Sequence, residues 1–162
     1  LEIDVITGTA SEDVLLGDQE DNLIFGLDGG DVLDGAAGDD VLVGGLGNDI
    51  MTGGSGGDIF DFNEFDTSTP SGGTDHITDF NVDEDVLDLR DIIDLSGNDT
   101  ISDWLDVTVV GSDTVVTITD LDAGNTHTII LDGVTNLGTV GTVDDLITAN
   151  VILAPDDGTG IA

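Results

Sequence analysis

From Gly8 to Asp61 the apolar residues of this chain recur with a period of nine. Six consecutive copies read GTASEDVLL, GDQEDNLIF, GLDGGDVLD, GAAGDDVLV, GGLGNDIMT and GGSGGDIFD, each with six loop-forming places before a mostly apolar triplet. The eighth place holds Leu15, Ile24, Leu33, Leu42, Met51 and Phe60, and the first place is always glycine. Glycine tolerates positive φ and tight turning, so the first six places predict a loop. The triplet is short and β-prone, and its eighth side chain can point inward. Loop and strand repeated at a fixed period predict a solenoid. Two copies complete one coil of eighteen residues, which stacks the loops alternately on two edges.

After Asp61 the period breaks. Residues 62–96 carry Pro70 and Gly72–Gly73 in a loop, then alternating apolar positions. A cap is required there, because the last coil would otherwise expose an apolar face and unpaired strand edges. Phe60, Phe62, Phe65, Phe80, Val86, Leu87 and Leu89 are its candidate cover, and residues 89–95 fit a short helix or a strand equally. Further on, LDVTVV and TVVTIT flank the turn signal GSD at 111–113, which predicts a hairpin. DLDAGN at 120–125 turns the chain again, into THTIILDGV. Thr142 opens a start of the capping-box kind, with Val143, Leu146, Ile147 and Val151 at helical spacing. The polar residues 154–162 read as a disordered tail. The expected fold is all-β: a roll over 1–61, its cap over 62–96, and a small antiparallel β-region with a terminal helix over 97–153.

Charge changes this picture most. The chain has 36 acidic residues against one basic residue, Arg90, for a net charge of −35 over 162 residues. Nucleic acids and anionic membrane surfaces repel such a chain. High charge often means disorder, but 38 % hydrophobic residues is too many for a solvating tail. The two facts agree if folding waits for cations. With no cysteines, disulfides and thiolate metal sites are excluded. No stretch approaches the roughly 18 consecutive apolar residues of a membrane span, so no membrane insertion is expected. The start, LEIDVITG, lacks the regions of a cleavable signal peptide and reads as a cut into a longer chain.

The sixth places supply the candidate chemistry. Asp13, Asp31 and Asp49 fall on one edge, and Asn22, Asp40 and Asp58 on the other. Coils stack about 4.8 Å apart, so columns of carboxylates repel unless cations lie between the loops. Carboxylate and loop carbonyl oxygens together make a hard cage suited to Ca²⁺ rather than Mg²⁺ or zinc. Counting onward by eighteen, the first column meets Thr67 and ends; the second reaches residue 76, one place from Asp75.

These copies resemble the GGxGxD nonapeptides of repeats-in-toxin (RTX) proteins, whose parallel β-roll binds Ca²⁺. GGLGND (Gly44, Gly45, Gly47, Asp49) and GGSGGD (Gly53, Gly54, Gly56, Asp58) match in full. GLDGGD contributes Gly26, Asp28 and Asp31, and GAAGDD contributes Gly35 and Asp40. GTASED and GDQEDN depart furthest, so the resemblance implies its surest calcium sites between the later copies. The phrase DHITDF followed by DVLDL resembles the segment that closes such rolls, which implies that Asp75 and Asp79 complete the last site. The order of roll, cap, β-region and terminal helix is similar to the C-terminal end of large repetitive adhesins. That resemblance implies export by a type I secretion apparatus, C-terminus first, to the medium or the bacterial cell surface. It implies several bound Ca²⁺ ions and a monomer.

Catalysis finds little support. GGSGG at 53–57 matches a G-x-S-x-G elbow, but Ser55 occupies a variable place of the repeat. His76 and His127 are the only histidines and form no H-E-x-x-H; both read as structural or exposed. DLDAGN lacks the later glutamate of an EF-hand loop. The third places (Ala10, Gln19, Asp28, Ala37, Leu46, Ser55) form no row of Thr or Asn for ice or sugar binding. Three readings remain: a calcium-triggered folding and secretion module of an adhesin, the tail of a secreted protease or lipase, and a partner-binding surface at 97–153.

Overall fold

A computed structural model describes residues 3–63, 73–94, 100–121 and 124–135, with the backbone of 152–153. The strands are β1 (Asp4–Thr7), β2 (Val14–Leu16), β3 (Asn22–Gly29), β4 (Val32–Asp34), β5 (Val41–Gly47), β6 (Ile50–Thr52) and β7 (Ile59–Asp61). They continue as β8 (Thr74–Ile77), β9 (Val86–Asp88), β10 (Leu105–Val110), β11 (Asp113–Thr119), β12 (Thr126–Leu131) and β13 (Ile152–Leu153). A single helical turn, α1 (Ile101–Trp104), precedes β10. The predicted helix from Thr142, Phe65 of the cap and the tail at 154–162 lie outside the described residues.

Successive copies of the nonapeptide alternate between two sheets, and within each sheet the strands of the copies pair in parallel. One runs β1-β3-β5-β7-β9-β13 and the other β10-β11-β12-β8-β6-β4-β2. Within the roll the register is the coil length: Leu23 pairs with Val41 and Val41 with Ile59, while Val32 pairs with Ile50. Eighth-place side chains therefore stack between the sheets, where Ile24, Leu33, Leu42, Met51 and Phe60 are all 0 % exposed. Leu15, in the first coil, is only half-buried. The first coil also contains β1, which pairs Asp4 with Asn22. Residues 4–7 thus form the strand of a further copy, with Asp4 at its sixth place.

Neither sheet stops at Asp61. β8 pairs with β6 and β9 with β7, so the segment after the repeats adds a strand to each sheet. Phe62, Phe80, Leu87, Leu89, Ile92 and Ile93 extend the same core, and Phe80 meets Phe60 with ring centroids 5.9 Å apart. Residues 89–93 form neither helix nor strand but a turn, in which the Ile92 and Ile93 amides donate to the Leu89 carbonyl.

The hairpin forms where the turn signal predicts it. β10 and β11 are antiparallel with Val110 opposite Asp113, so Gly111 and Ser112 alone make the turn, Gly111 at φ 71°. β12 lies antiparallel to β11 and parallel to β8, through Thr128–Thr74 and Leu131–Ile77. The antiparallel unit is thereby an extension of one roll sheet.

Candidate calcium-binding columns

From Asp31 onward, each sixth-place side chain reaches back to the coil before it. Asp31 Oδ1 accepts the Asp13 amide at 2.8 Å, and Asp49 Oδ1 accepts the Asp31 amide at 2.8 Å. On the other edge Asp40 Oδ1 accepts the Asn22 amide at 2.7 Å, and Asp58 Oδ1 accepts the Asp40 amide at 2.9 Å. One oxygen of each carboxylate thus ties two coils together. The other oxygen is the decisive one: Oδ2 of Asp31, Asp40, Asp49 and Asp58 is buried and has no hydrogen-bond partner. A buried unpartnered carboxylate oxygen is costly unless a cation meets it.

Backbone geometry explains the glycines around these oxygens. A Cβ added at Gly26, Gly35, Gly44 or Gly53 would collide with Oδ2 of the aspartate five places later in its own copy. The first place must therefore lack a side chain for the carboxylate to fold over its loop. At the fourth place, Gly47 has φ 142°, and a Cβ there would overlap the Gly29 carbonyl oxygen. At the second place Leu27 and Ala36 hold φ 79° and 75°, where later copies have Gly45 and Gly54. These side chains occupy a left-handed conformation that costs them about 1–2 kcal/mol.

Burial, which opposes charge, pushes the Asp49 carboxyl up to about 7 and the Asp58 carboxyl up to about 6; neighbouring acids add to both. Asp31 and Asp40 are raised for the same first reason. Desolvated carboxylates that cannot ionise cheaply alone are groups a divalent cation stabilises. Among the described residues no three His, Cys, Asp or Glu side chains converge on one point. The arrangement offers one carboxylate per loop instead, so the remaining donors must be backbone carbonyls, as hard-cation sites allow.

The first two loops are built differently. Asp13 Oδ2 accepts the Thr9 amide at 2.7 Å and its hydroxyl at 2.8 Å. Asn22 Oδ1 accepts the Asp18 amide, and its Nδ2 donates to Asp18 Oδ1 and the Glu20 carbonyl. Their own side chains close these loops. Asp28, in the third copy, is exposed.

Both columns end beyond the repeats, and not as counting by eighteen suggests. Asp75 continues the first column rather than the second: its Oδ1 accepts the Asp49 amide across 26 residues. The second column ends on Asp85, which sequence spacing missed; its Oδ1 accepts the Asp58 amide across 27 residues. Inserted loop lengthens the last coil, and the strand register, not the count, sets which acids meet. In both, the second oxygen is taken: Asp75 Oδ2 by His127 Nε2 at 2.7 Å, Asp85 Oδ2 by the Asn81 amide at 2.8 Å. Asp79, exposed, stands outside the columns and accepts the amides of Gly53 at 3.0 Å and Gly54 at 2.9 Å.

A family model, the RTX calcium-binding nonapeptide repeat, matches residues 2–33 and 25–60. Residues 2–60 are RTX calcium-binding repeats, and from residue 3 onward they wind as a β-roll. RTX nonapeptide repeats bind calcium, and the four free Oδ2 atoms fit that ion. Asp31, Asp40, Asp49 and Asp58 would hold it, and it would supply the positive charge that lets them ionise while buried.

Solved structures share the architecture beyond the roll. The AlgE6R2 subunit of the Azotobacter vinelandii mannuronan C5-epimerase is 28 % identical, with a TM-score of 0.66 over 94 % of this chain and 92 % of that one. The AlgE6R3 subunit of the same enzyme is 28 % identical, with a TM-score of 0.62 over 83 % and 89 %. The extracellular lipase LipA of Serratia marcescens shares the fold at 24 % identity and a TM-score of 0.57. This chain covers 20 % of that lipase. No curated protein sequence matches the chain significantly.

Proposed function

We propose that this RTX roll is a calcium-dependent folding and export module of a large extracellular protein. The observation that carries the reading is the set of four buried, unpartnered Oδ2 atoms in two columns. Where calcium is scarce, these acids and a net charge of −35 oppose compaction, and the chain stays open enough to thread a type I secretion apparatus. Outside, extracellular calcium modules load at roughly 10⁻⁴ to 10⁻³ M. An ion that binds only the folded form drives folding by linkage. Circular dichroism at pH 8 with calcium and with EGTA tests this. Strand signal only in calcium is expected; a fully folded chain in EGTA overturns the switch.

The parent protein is an adhesin on the order of the segments after the roll. The likeness to epimerase and lipase RTX regions supports a second reading, in which the module is carried by a secreted enzyme. The rest of the parent polypeptide discriminates: repeated adhesive domains favour the first, a catalytic domain the second. We assign no catalysis to this segment. His76 pairs with Asp132 and His127 with Asp75. Ser55 sits in a glycine loop bridged to Ala37, followed by β7 and not by the helix a nucleophile elbow needs. Mannuronan is itself a polyanion, which a chain with one basic residue repels before ions bind.

A further inference from the structure

The two columns end differently. Asp85 is closed locally, by the amide of Asn81 four residues away. Asp75 is closed by a side chain 52 residues further on, in the antiparallel unit. His127 points inward from β12, in the same inward row as Ile129 and Leu131, and both it and Asp75 are 1 % exposed. The Phe62 ring meets the imidazole edge-on, with centroids 5.6 Å apart. The other ring nitrogen, Nδ1, is buried without a partner. An apolar side chain would fill an inward place in this row without leaving a polar atom unsatisfied. The histidine is therefore poorly explained as packing alone and well explained by its bond to Asp75.

That bond is the last link of a continuous chain. The Asp13 amide meets Asp31, the Asp31 amide meets Asp49, the Asp49 amide meets Asp75, and Asp75 meets His127. Asp31 and Asp49 in this chain each carry a free Oδ2 that calcium would neutralise. When the roll is unformed, Asp75 has no fixed position, and β12 lacks both its parallel partner β8 and the partner of its imidazole. We propose that His127 is a latch that makes docking of the β10–β12 unit part of the calcium-driven ordering of the roll. The inference rests on the proposed calcium-dependent folding, and its test separates the two.

Trp104 is the only tryptophan and lies buried at the junction of α1 and β10, so its fluorescence reports the antiparallel unit. Far-UV circular dichroism in the same calcium titration reports the sheets as a whole, which the roll dominates. Two variants are compared with the unaltered chain: His127→Leu, which keeps volume but removes the bond, and His127→Gln, whose amide can still donate to Asp75. The expected result is coincident signals in the unaltered chain. In His127→Leu the Trp104 signal lags to about tenfold higher calcium, within the span of coupling between linked sites. In His127→Gln coincidence returns. A His127→Leu chain that fails to fold while His127→Gln behaves normally also supports the latch. Coincident signals in His127→Leu, or failure of both variants alike, overturn it and leave calcium-dependent folding intact. An unaltered chain that ignores calcium sinks the proposed function and the latch together.

Discussion

Replacing Asp49 by asparagine should change stability in opposite directions with and without calcium. Asp49 Oδ1 accepts the Asp31 amide, and an amide oxygen can keep that bond. Only the free, buried Oδ2 changes, to an NH2 group. Without metal at pH 8, the fold must bury a carboxylate that burial raises from 3.8 to about 7. At 1.36 kcal/mol per unit, that penalty is up to roughly 4 kcal/mol against folding, and water entering the loop reduces it. The new NH2 is itself unpaired, at a cost of about 1–3 kcal/mol, so the metal-free fold should gain about 1–2 kcal/mol net. In saturating calcium the same change removes a charged donor, and the stabilisation from that ion falls with its affinity. The assay is circular dichroism at pH 8. In EGTA, trimethylamine oxide is titrated to drive the metal-free chain folded, because excluded osmolytes favour burial. Asp49→Asn should need less osmolyte than the unaltered chain, yet melt lower in calcium. Destabilisation by like amounts in both conditions would refute the reasoning, since the acid would then be structural and not a metal donor.

Other perturbations follow from the same geometry. The raised carboxyls of Asp49 and Asp58, at about 7 and about 6, give the metal-free fold stability that is complete below their unfolded value of 3.8. That stability is lost as pH rises to about 7, so circular dichroism in EGTA should show strand content at pH 4 that fades by pH 8. In calcium the dependence should reverse, because the ion needs ionised ligands, and affinity by titration should fall as pH drops from 7 to 5. Gly47→Ala would press a Cβ onto the Gly29 carbonyl at φ 142°, and should cost roughly 3 kcal/mol or more in a calcium-loaded melt. Leu27→Gly should act oppositely, because it relieves a φ of 79° at a side chain that is 44 % exposed. The gain, after glycine's added unfolded-state freedom, is about 0.5–1 kcal/mol by the same melt.

The roll was legible because its physics is local and repeats. A nine-residue period sends alternate triplets to alternate sheets, which places Asp31 beside Asp49 and Asp40 beside Asp58 without further information. The ends were less legible, because the count fails there. Asp75 sits one place from the second column's arithmetic, yet β8 pairs with β6 and carries it to the first. Asp85 reaches Asp58 only because β9 pairs with β7 across a longer connection. Asp4 has no glycine-led copy to mark it, and only the pairing of β1 with β3, Asp4 opposite Asn22, places it in register with the sixth places. His127 gave no signal of its role, since a histidine in an alternating strand does not reveal a partner 52 residues earlier.

The carboxylate bonds that tie the coils have a polarity. Every sixth-place amide from Asp13 to Asp58 is satisfied by a carboxylate that comes later in the polypeptide, by 18 residues within the roll and by 26 or 27 at its end. The backbone ladder answers them in the other direction, with the Val32, Ile50 and Ile59 amides donating to the Asp13, Asp31 and Asp40 carbonyls one coil earlier. A chain that meets calcium from its C-terminal side would present the carboxylate of each coil before the amide it accepts. The carboxylate bonds thus face one way along both edges, while the strand ladders between them run both ways.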